Sequence, residues 1–325
     1  MTEASAMSAA DALARSARWR WWEFLLFAAA LLSWFLLPGH ALLLNEIAIL
    51  ALFALSLDLI LGYAGIVSLG HAAYFGFGAY AAALFAKHLM PEPLAGLAVA
   101  VVASALLGLA TSVLILRGSD LTRLMVTLGI ASILYELANR LDWLTGGADG
   151  LQGVVMGPLL GRFEFDLYGR TAYAYSLAVL LAALLACRRL VHSPFGISLQ
   201  ALRDNPLRAA SIGLSVRWRL VAIYSIAAGI AGAAGALLAQ TSGFASLDVL
   251  DFHRSADVLL VLVIGGAGYL YGGILGAVAF KLLHDAISTL TPQYWTFWIG
   301  LFLVVLMLVG RERLWRPWTW FGRRS

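Results

Sequence analysis

The sequence is poor in charge: only 12% of its 325 residues are Asp, Glu, Lys or Arg. Soluble domains carry about 25% charged and about 45–50% apolar residues, whereas 62% of this chain is hydrophobic and its mean hydropathy is +0.86. The shortage of charge excludes a soluble protein built on one large core and predicts a polytopic membrane protein. Its apolar runs are long and do not alternate, so they predict helices rather than a β-barrel.

Cysteine and catalytic motifs are almost absent. Cys187 is the single cysteine, so no disulfide can form within the chain, and it is interpreted as a small apolar residue. The sequence has no H-E-x-x-H, no Cys/His cluster, no G-x-S-x-G and no P-loop. The chain is therefore predicted not to be an enzyme and to bind no cofactor or metal, and any ATP hydrolysis is expected on another chain.

What the sequence has in place of charge is a series of apolar runs. They predict an all-α bundle of about 8–10 spans, with a transmembrane domain over 21–310 between an N-terminal tail (1–20) and a C-terminal tail (311–325). The region 255–288 is interpreted either as two spans or as a re-entrant element plus one span. The candidate spans are 21–38, 42–61, 66–86, 94–116, 124–139, 171–187, 218–239, 255–268, 272–288 and 294–310.

The positive charges are unevenly placed along these spans. With the N-terminus inside, most of the 22 Lys and Arg residues fall in inner segments, as short cytoplasmic segments of membrane proteins prefer. This asymmetry predicts ten spans with both tails cytosolic.

Glycine is dense in the stretch "GYAGIVSLGHAAYFGFGAY", residues 62–80, and again in "GGAGYLYGG", residues 265–273. Such residues either let helices pack closely or break a helix beside a translocation path. Ser68 and His71 are the polar groups of the first stretch. A lone histidine in a span more often makes a hydrogen bond between helices than it binds a ligand.

The longest predicted cytosolic segment, 188–219, carries six arginines and helix punctuation. Ser193 precedes Pro194 at one predicted helix start, and Asn205 precedes Pro206 at a second, which Gly213 ends after Leu207–Ile212. The two short helices predict a compact docking surface, and the alternative is a loop held on anionic lipid by its charge.

Several segments together resemble one family. They are "LGYAGIVSLGHAAYFGFGAY", "VTLGIASILYELANRLDWLTGGADGLQGV", "SPFGISLQALRDNPLRAASIGL" and "LLVLVIGGAGYLYGGILGA". In this order they resemble the M-type permease subunits of bacterial branched-chain amino acid ABC importers, over roughly residues 45–308. The resemblance implies a second, homologous permease, two cytosolic ATPases that use ATP, and a periplasmic or extracytoplasmic substrate-binding protein. Membrane lipid is the surrounding partner, and no nucleic acid is expected.

The resemblance also assigns roles to residues. It implies that the segment 188–219 couples the permease to the ATPases, through Ser193, Pro194, Phe195, Gly196, Arg203, Asp204, Asn205, Ala209, Ala210 and Gly213. The candidates for the translocation path are Ser68, His71, Thr127, Gly265, Gly266 and Gly268.

The sequence departs from the family pattern at two places. Ile66 stands where the family commonly has a glutamine, and Arg208-Ala209-Ala210 stands where ABC permeases often have Glu-Ala-Ala. The predicted function is import of branched-chain or related amino acids. The alternatives are an ABC permease for urea, amides or other small polar solutes, and an ion-coupled secondary transporter, which the shortage of buried acidic pairs disfavours.

Overall fold

The structure is a computed structural model that describes residues 21–166 and 168–290, together with 294, 297, 298, 300, 301 and 304. These residues form twelve α-helices and, apart from two isolated β-bridges, no β-structure. The prediction of an all-helical bundle with glycine-rich breaks is confirmed. The predicted tails 1–20 and 311–325, and most of the predicted span 294–310, lie outside the described residues.

The helices are numbered here in chain order. Their bounds are α1 Trp21–Leu36, α2 Ala41–Asp58, α3 Ala72–His88, α4 Pro93–Ile115, α5 Asp120–Arg140, α6 Asp142–Thr145, α7 Arg170–Val191, α8 Pro194–Asp204, α9 Pro206–Ser211, α10 Val216–Ser242, α11 Phe252–Gly265 and α12 Gly272–Leu290. A π-helical turn, Leu59–Tyr63, continues α2.

Five of the described helical segments are long and apolar enough to cross a membrane: Ala41–Tyr63, Pro93–Ile115, Asp120–Arg140, Arg170–Val191 and Val216–Ser242. The other predicted spans in the described part of the chain form α1, α3 and α11, which are shorter, and α12. Glycine-rich turns shorten two of these helices, α3 at its start and α11 at its end.

Helix α10 lies at the centre of the bundle and packs against α4, α3 and α2. Glycine makes these contacts close: a Cβ on Gly78 would overlap the backbone of Gly232, and one on Gly235 would overlap the carbonyl of Phe75. Gly232 itself lies against Ser104 of α4. The glycines of α10 therefore form packing faces, as small residues do between membrane helices.

The predicted third span begins later than expected. The structure starts α3 at Ala72 rather than at residue 66, and residues 64–71 are not helical. Gly65 has a φ of 72°, which L side chains rarely adopt, and Gly70 lies so close to the carbonyl of Thr127 that a Cβ would overlap it. Gly65 and Gly70 therefore delay the start of α3, although hydropathy alone predicts that the helix begins at residue 66.

Helices α11 and α12 form an antiparallel pair. The turn between them meets the end of α2 where the Gly268 amide donates to Asp58 Oδ1, 2.7 Å away. Lys281 of α12 pairs with Glu46, which lies 12 residues before Asp58 and therefore about 18 Å away along α2 at about 1.5 Å per residue. The region 255–288 therefore runs along α2 twice, which favours the two-span interpretation.

Gly268 is not on a helical face with Gly272 and Gly276, because it lies in the turn with a φ of 82°. The close approach of α11 and α12 is made instead by Gly265, Gly272 and Gly276, since a Cβ on Gly265 would overlap the carbonyl of Gly272.

Candidate functional site

The non-helical segment 64–71 runs inside the bundle, where Ser68 and His71 are fully buried. Thr127 of α5 supports it: its Oγ1 accepts a hydrogen bond from the Leu69 amide at 3.3 Å. Irregular backbone at membrane depth is stable only where protein covers it or where it lines a polar cavity. Most of the segment meets this condition by packing between α2, α5 and α11, where Ser255 Oγ accepts from the Ala72 amide at 2.9 Å, whereas Val67 is 38% exposed.

His71 joins two helices. Its Nε2 lies 2.9 Å from Ser56 Oγ of α2, and its ring stacks on Phe53 with centroids 5.6 Å apart and planes 6° apart. Because His71 has no exposed surface, the geometry matches a hydrogen bond between helices rather than a group that lines an open path.

Buried hydroxyl groups continue this polar layer. Tyr74 OH lies 2.7 Å from Thr111 Oγ1 and 3.5 Å from Tyr224 OH. The structure thus brings together the predicted path residues Ser68, His71 and Thr127. The predicted Gly265, Gly266 and Gly268 lie apart from them, in and beside the turn between α11 and α12.

At one end of the bundle, two glycine turns meet helix α8. Arg203 of α8 donates a hydrogen bond from Nη1 to the carbonyl of Gly62, and the Gly268 amide is held by Asp58. A Cβ on Gly62 would overlap both the Asp58 carboxylate and the Gly268 backbone. We call these residues, Asp58, Gly62, Arg203 and Gly268, the turn junction. It connects α8 directly to the ends of α2 and α11.

The predicted pair of short helices is present next to the turn junction. Ser193 caps α8 by accepting from the Gly196 amide at 3.4 Å, and Asn205 caps α9 by accepting from the Arg208 amide at 2.9 Å. Helix α9 spans Pro206–Ser211, one residue earlier than predicted. The predicted stop at Gly213 has a φ of 87°, a conformation that glycine adopts without strain.

The α8–α9 segment has one packed side and one open side. Leu199, Leu202 and Ala209 are buried in the core. On the open side, Leu207 and Ile212 are 82% and 72% exposed. The remaining predicted coupling residues divide between the two sides: Phe195 is partly buried, Arg203 lies 3.6 Å from Asp204 in an ion pair, and Ala210 is exposed.

Loops close the opposite end of the bundle. Lys87 Nζ donates to the carbonyl of Gln152 at 3.2 Å, and the Gly157 amide donates to the carbonyl of Pro91 at 2.7 Å. Before α11, Asp251 accepts from the His253 amide at 2.8 Å. This hydrogen bond holds the pKa of the Asp251 carboxyl below its usual range.

Near this end lies a cavity of about 280 Å³, which was not predicted from the sequence. It opens between α2, α3, α10, α11 and α12. Its ionisable lining residues are Glu46, Arg254, Asp257, Lys281 and His284, and its apolar ones are Ile49, Leu50, Phe53, Phe75, Leu238 and Phe280. The predicted path residues do not line it, although Phe53 connects it to His71 by the ring stack.

A sequence signal for this cavity exists. Glu46, Lys281 and His284 are ionisable residues within predicted spans, and Lys281 and His284 are three residues apart, on one face of α12. What the sequence does not reveal is that α2 and α12 face each other across the cavity. Among the residues that the structure describes, no group of three or more His, Cys, Asp or Glu residues is arranged to hold a metal ion.

Comparison with known proteins identifies a single family. The family described as "Branched-chain amino acid transport system / permease component" matches residues 40–309. No solved structure matches the chain.

The individual relatives are permease proteins of transport systems. The high-affinity branched-chain amino acid transport system permease protein LivM of Escherichia coli (strain K12) is 30% identical over 292 residues, a match that covers 82% of this chain and 66% of LivM. LivM of Salmonella typhimurium gives the same values. The match therefore spans slightly less than two thirds of these relatives. The galactose/methyl galactoside import permease protein MglC of Haemophilus influenzae is 27% identical over 225 residues, or 67% of this chain and 66% of MglC.

Proposed function

The chain belongs to the family of branched-chain amino acid transport system permease components, and from this premise we propose that it is the membrane permease subunit of an ATP-driven importer. Its cargo is branched-chain amino acids or related ones, and transport is directed into the cytoplasm. The observation that carries this proposal is the α8–α9 segment: two capped helices that expose Leu207 and Ile212 and are tied by Arg203 to the end of α2.

The exposed side of α8–α9 supports a docking role. Large apolar side chains in a surface segment rimmed by arginines are typical of a protein contact. A partner that moves α8 would act on the turn junction directly, because Arg203 contacts Gly62 and lies beside Gly268. The proposed partner at this surface is a cytosolic ATPase. A complete importer would contain two ATPases, a second permease and a substrate-binding protein.

The orientation follows from this assignment. The α8 end faces the cytosol in the bacterial inner membrane, both tails are cytosolic, and the loops around Gln152 and Pro91 face outward, toward the binding protein. ATP is bound and hydrolysed by the partner ATPases, and this chain carries neither a catalytic site nor a cofactor of its own.

The departure at Ile66 does not favour another substrate. Its side chain is 1% exposed and is part of the hydrophobic core, so it lines neither the cavity nor an open path. Urea, amides and small polar solutes therefore gain no support from this position. They remain the competitors to include in an uptake assay.

The proposal is tested by assembling the chain with its partner subunits in proteoliposomes and measuring leucine uptake. We expect uptake that needs internal ATP, is blocked by vanadate and survives collapse of the ion gradients. Uptake that follows a gradient and ignores ATP would contradict the proposal and support a secondary transporter.

The docking surface is tested by the double variant Leu207→Asp/Ile212→Asp. We expect the ATPase to be lost from the purified assembly while the variant chain still inserts in the membrane, because two charges replace the apolar contact. Val155→Asp is the matched control, since Val155 is 73% exposed but lies in the loops at the opposite end. Co-purification of the ATPase at the normal level with the double variant would contradict the docking role.

A further inference from the structure

The cavity at the end opposite α8 combines charges of both signs with an apolar wall. Glu46 of α2 and Asp257 of α11 are negative, and Lys281 of α12 and Arg254 of α11 are positive. Ionisable side chains within membrane helices are rare and by default indicate a functional site. Here they converge from three different helices on one enclosed volume.

The ion pairs at the cavity are partly exposed to water. The Lys281–Glu46 ion pair has side chains that are 24% and 52% exposed, and Arg254, which pairs with Asp248 at 2.5 Å, is 43% exposed. Ion pairs that keep this much contact with water contribute little to stability. They can therefore exchange their partner for a ligand group at small cost.

The rest of the cavity lining is aromatic and aliphatic. Phe53, Phe75 and Phe280 line it together with Leu50 and Leu238. The volume of about 280 Å³ is just below the range of about 300–1,000 Å³ that is usual for drug-sized ligands. A small amphipathic solute fits both the size and the lining.

From this arrangement we propose that the cavity binds an α-amino acid as its zwitterion. The carboxylate lies toward Lys281 and Arg254, the ammonium toward Glu46 and Asp257, and a branched aliphatic side chain against the phenylalanines. The lining offers groups of both signs, so it matches a ligand with one charge of each sign. A net anion or a net cation would face repulsion from one of the pairs.

This inference rests on the proposed function and names the substrate class at one place in the permease. It differs from a purely structural explanation, in which the Lys281–Glu46 pair only fastens α12 to α2. A structural pair can be replaced by two neutral side chains, because neither is then left with an uncompensated charge. If Lys281 and Glu46 bind the substrate, replacing both by neutral side chains removes that binding.

The test uses the complete importer and three variants: Lys281→Met, Glu46→Gln and the double variant. We expect each single variant to lower leucine uptake by about 10-fold or more, since a hydrogen bond to a charged group is lost, and the double variant to be at least as impaired. ATP hydrolysis and ATPase co-purification should persist. The control Lys87→Met removes a lysine from the same end outside the cavity and should leave direct binding of leucine, measured without the binding protein, unchanged.

Direct binding separates the ligand classes. Radiolabelled leucine is bound to the purified importer in the absence of the binding protein, and unlabelled solutes compete. Valine and isoleucine should displace it, whereas isocaproate, which lacks the ammonium, and isopentylamine, which lacks the carboxylate, should not. Displacement by either of these analogues as strongly as by valine would overturn the zwitterion assignment.

These experiments distinguish failure of the cavity proposal from failure of the proposed function. Normal leucine uptake by the double variant would overturn the cavity proposal and leave the proposed function intact. A wild-type importer that assembles with its ATPases but transports and binds no α-amino acid would overturn both.

Discussion

The two ends of the bundle use charged residues in opposite ways. At the turn junction the charged side chains form hydrogen bonds with backbone groups: Asp58 accepts from the Gly268 amide, and Arg203 donates to the Gly62 carbonyl. At the far end, Glu46 and Lys281 hold each other beside a cavity and remain partly exposed. The first arrangement fixes the positions of two turns, whereas the second leaves charged groups partly exposed beside the cavity. The contrast sets rigid linkage at the α8 end against the proposed binding site at the other.

A buried ion pair at the α8 end should show the largest effect. Arg188 and Glu23 are 9% and 7% exposed and lie 3.1 Å apart. We expect Arg188→Met to lower the free energy of unfolding by about 3–5 kcal/mol, because Glu23 then keeps a buried charge without its guanidinium. Thermal unfolding of the purified chain in detergent measures this.

The matched variant for this pair is the double change Glu23→Leu/Arg188→Met. It should recover most of the lost stability, since apolar replacements of a buried pair are often neutral. If Arg188→Met were as stable as the wild type, the ion pair at the α8 end would contribute no more to stability than the exposed pair at the cavity.

The turn junction should tolerate no side chain at Gly62. In Gly62→Val the new Cβ overlaps the Asp58 carboxylate and the Gly268 backbone, so we expect a loss of about 3 kcal/mol, the upper part of the usual range for overpacking. The control is Gly129→Val in α5, because no neighbouring atom lies within 4 Å of a Cβ built there. Equal melting temperatures for the two variants would contradict close packing at the junction.

The cavity pair should matter less for stability. Lys281→Met is expected to change the free energy of unfolding by no more than about 1 kcal/mol, because both partners of the ion pair are partly exposed. Thermal unfolding under the conditions used for Arg188→Met gives the direct comparison. A loss as large as that of Arg188→Met would indicate that the cavity charges serve packing.

The sequence predicts some features of the two ends of the bundle and misses others. The helical bundle, the glycine breaks and the caps at Ser193 and Asn205 follow from local chemistry, because hydropathy, backbone freedom and capping act over a few residues. The start of α3 at Ala72 was missed, since it depends on the contact between Gly70 and the Thr127 carbonyl. The junction and the cavity depend on contacts between residues far apart in the chain, such as Asp58 with Gly268, which no local pattern encodes.

Helix caps give similarly small effects and the sharpest contrast between the ends. Asn205→Ala removes the cap of α9 and Asp251→Ala removes the cap of α11, and each should cost about 1 kcal/mol. Their consequences for assembly should differ, because α9 belongs to the docking segment whereas Asp251 lies at the other end.

Co-purification of the ATPase should therefore fall for Asn205→Ala and stay normal for Asp251→Ala, at similar melting temperatures. Asp251→Asn is a further control, since an asparagine keeps the capping oxygen and should restore the stability lost in Asp251→Ala. If both alanine variants lost the ATPase equally, general destabilisation rather than local docking would explain the loss, and the division of labour between the two ends would not hold.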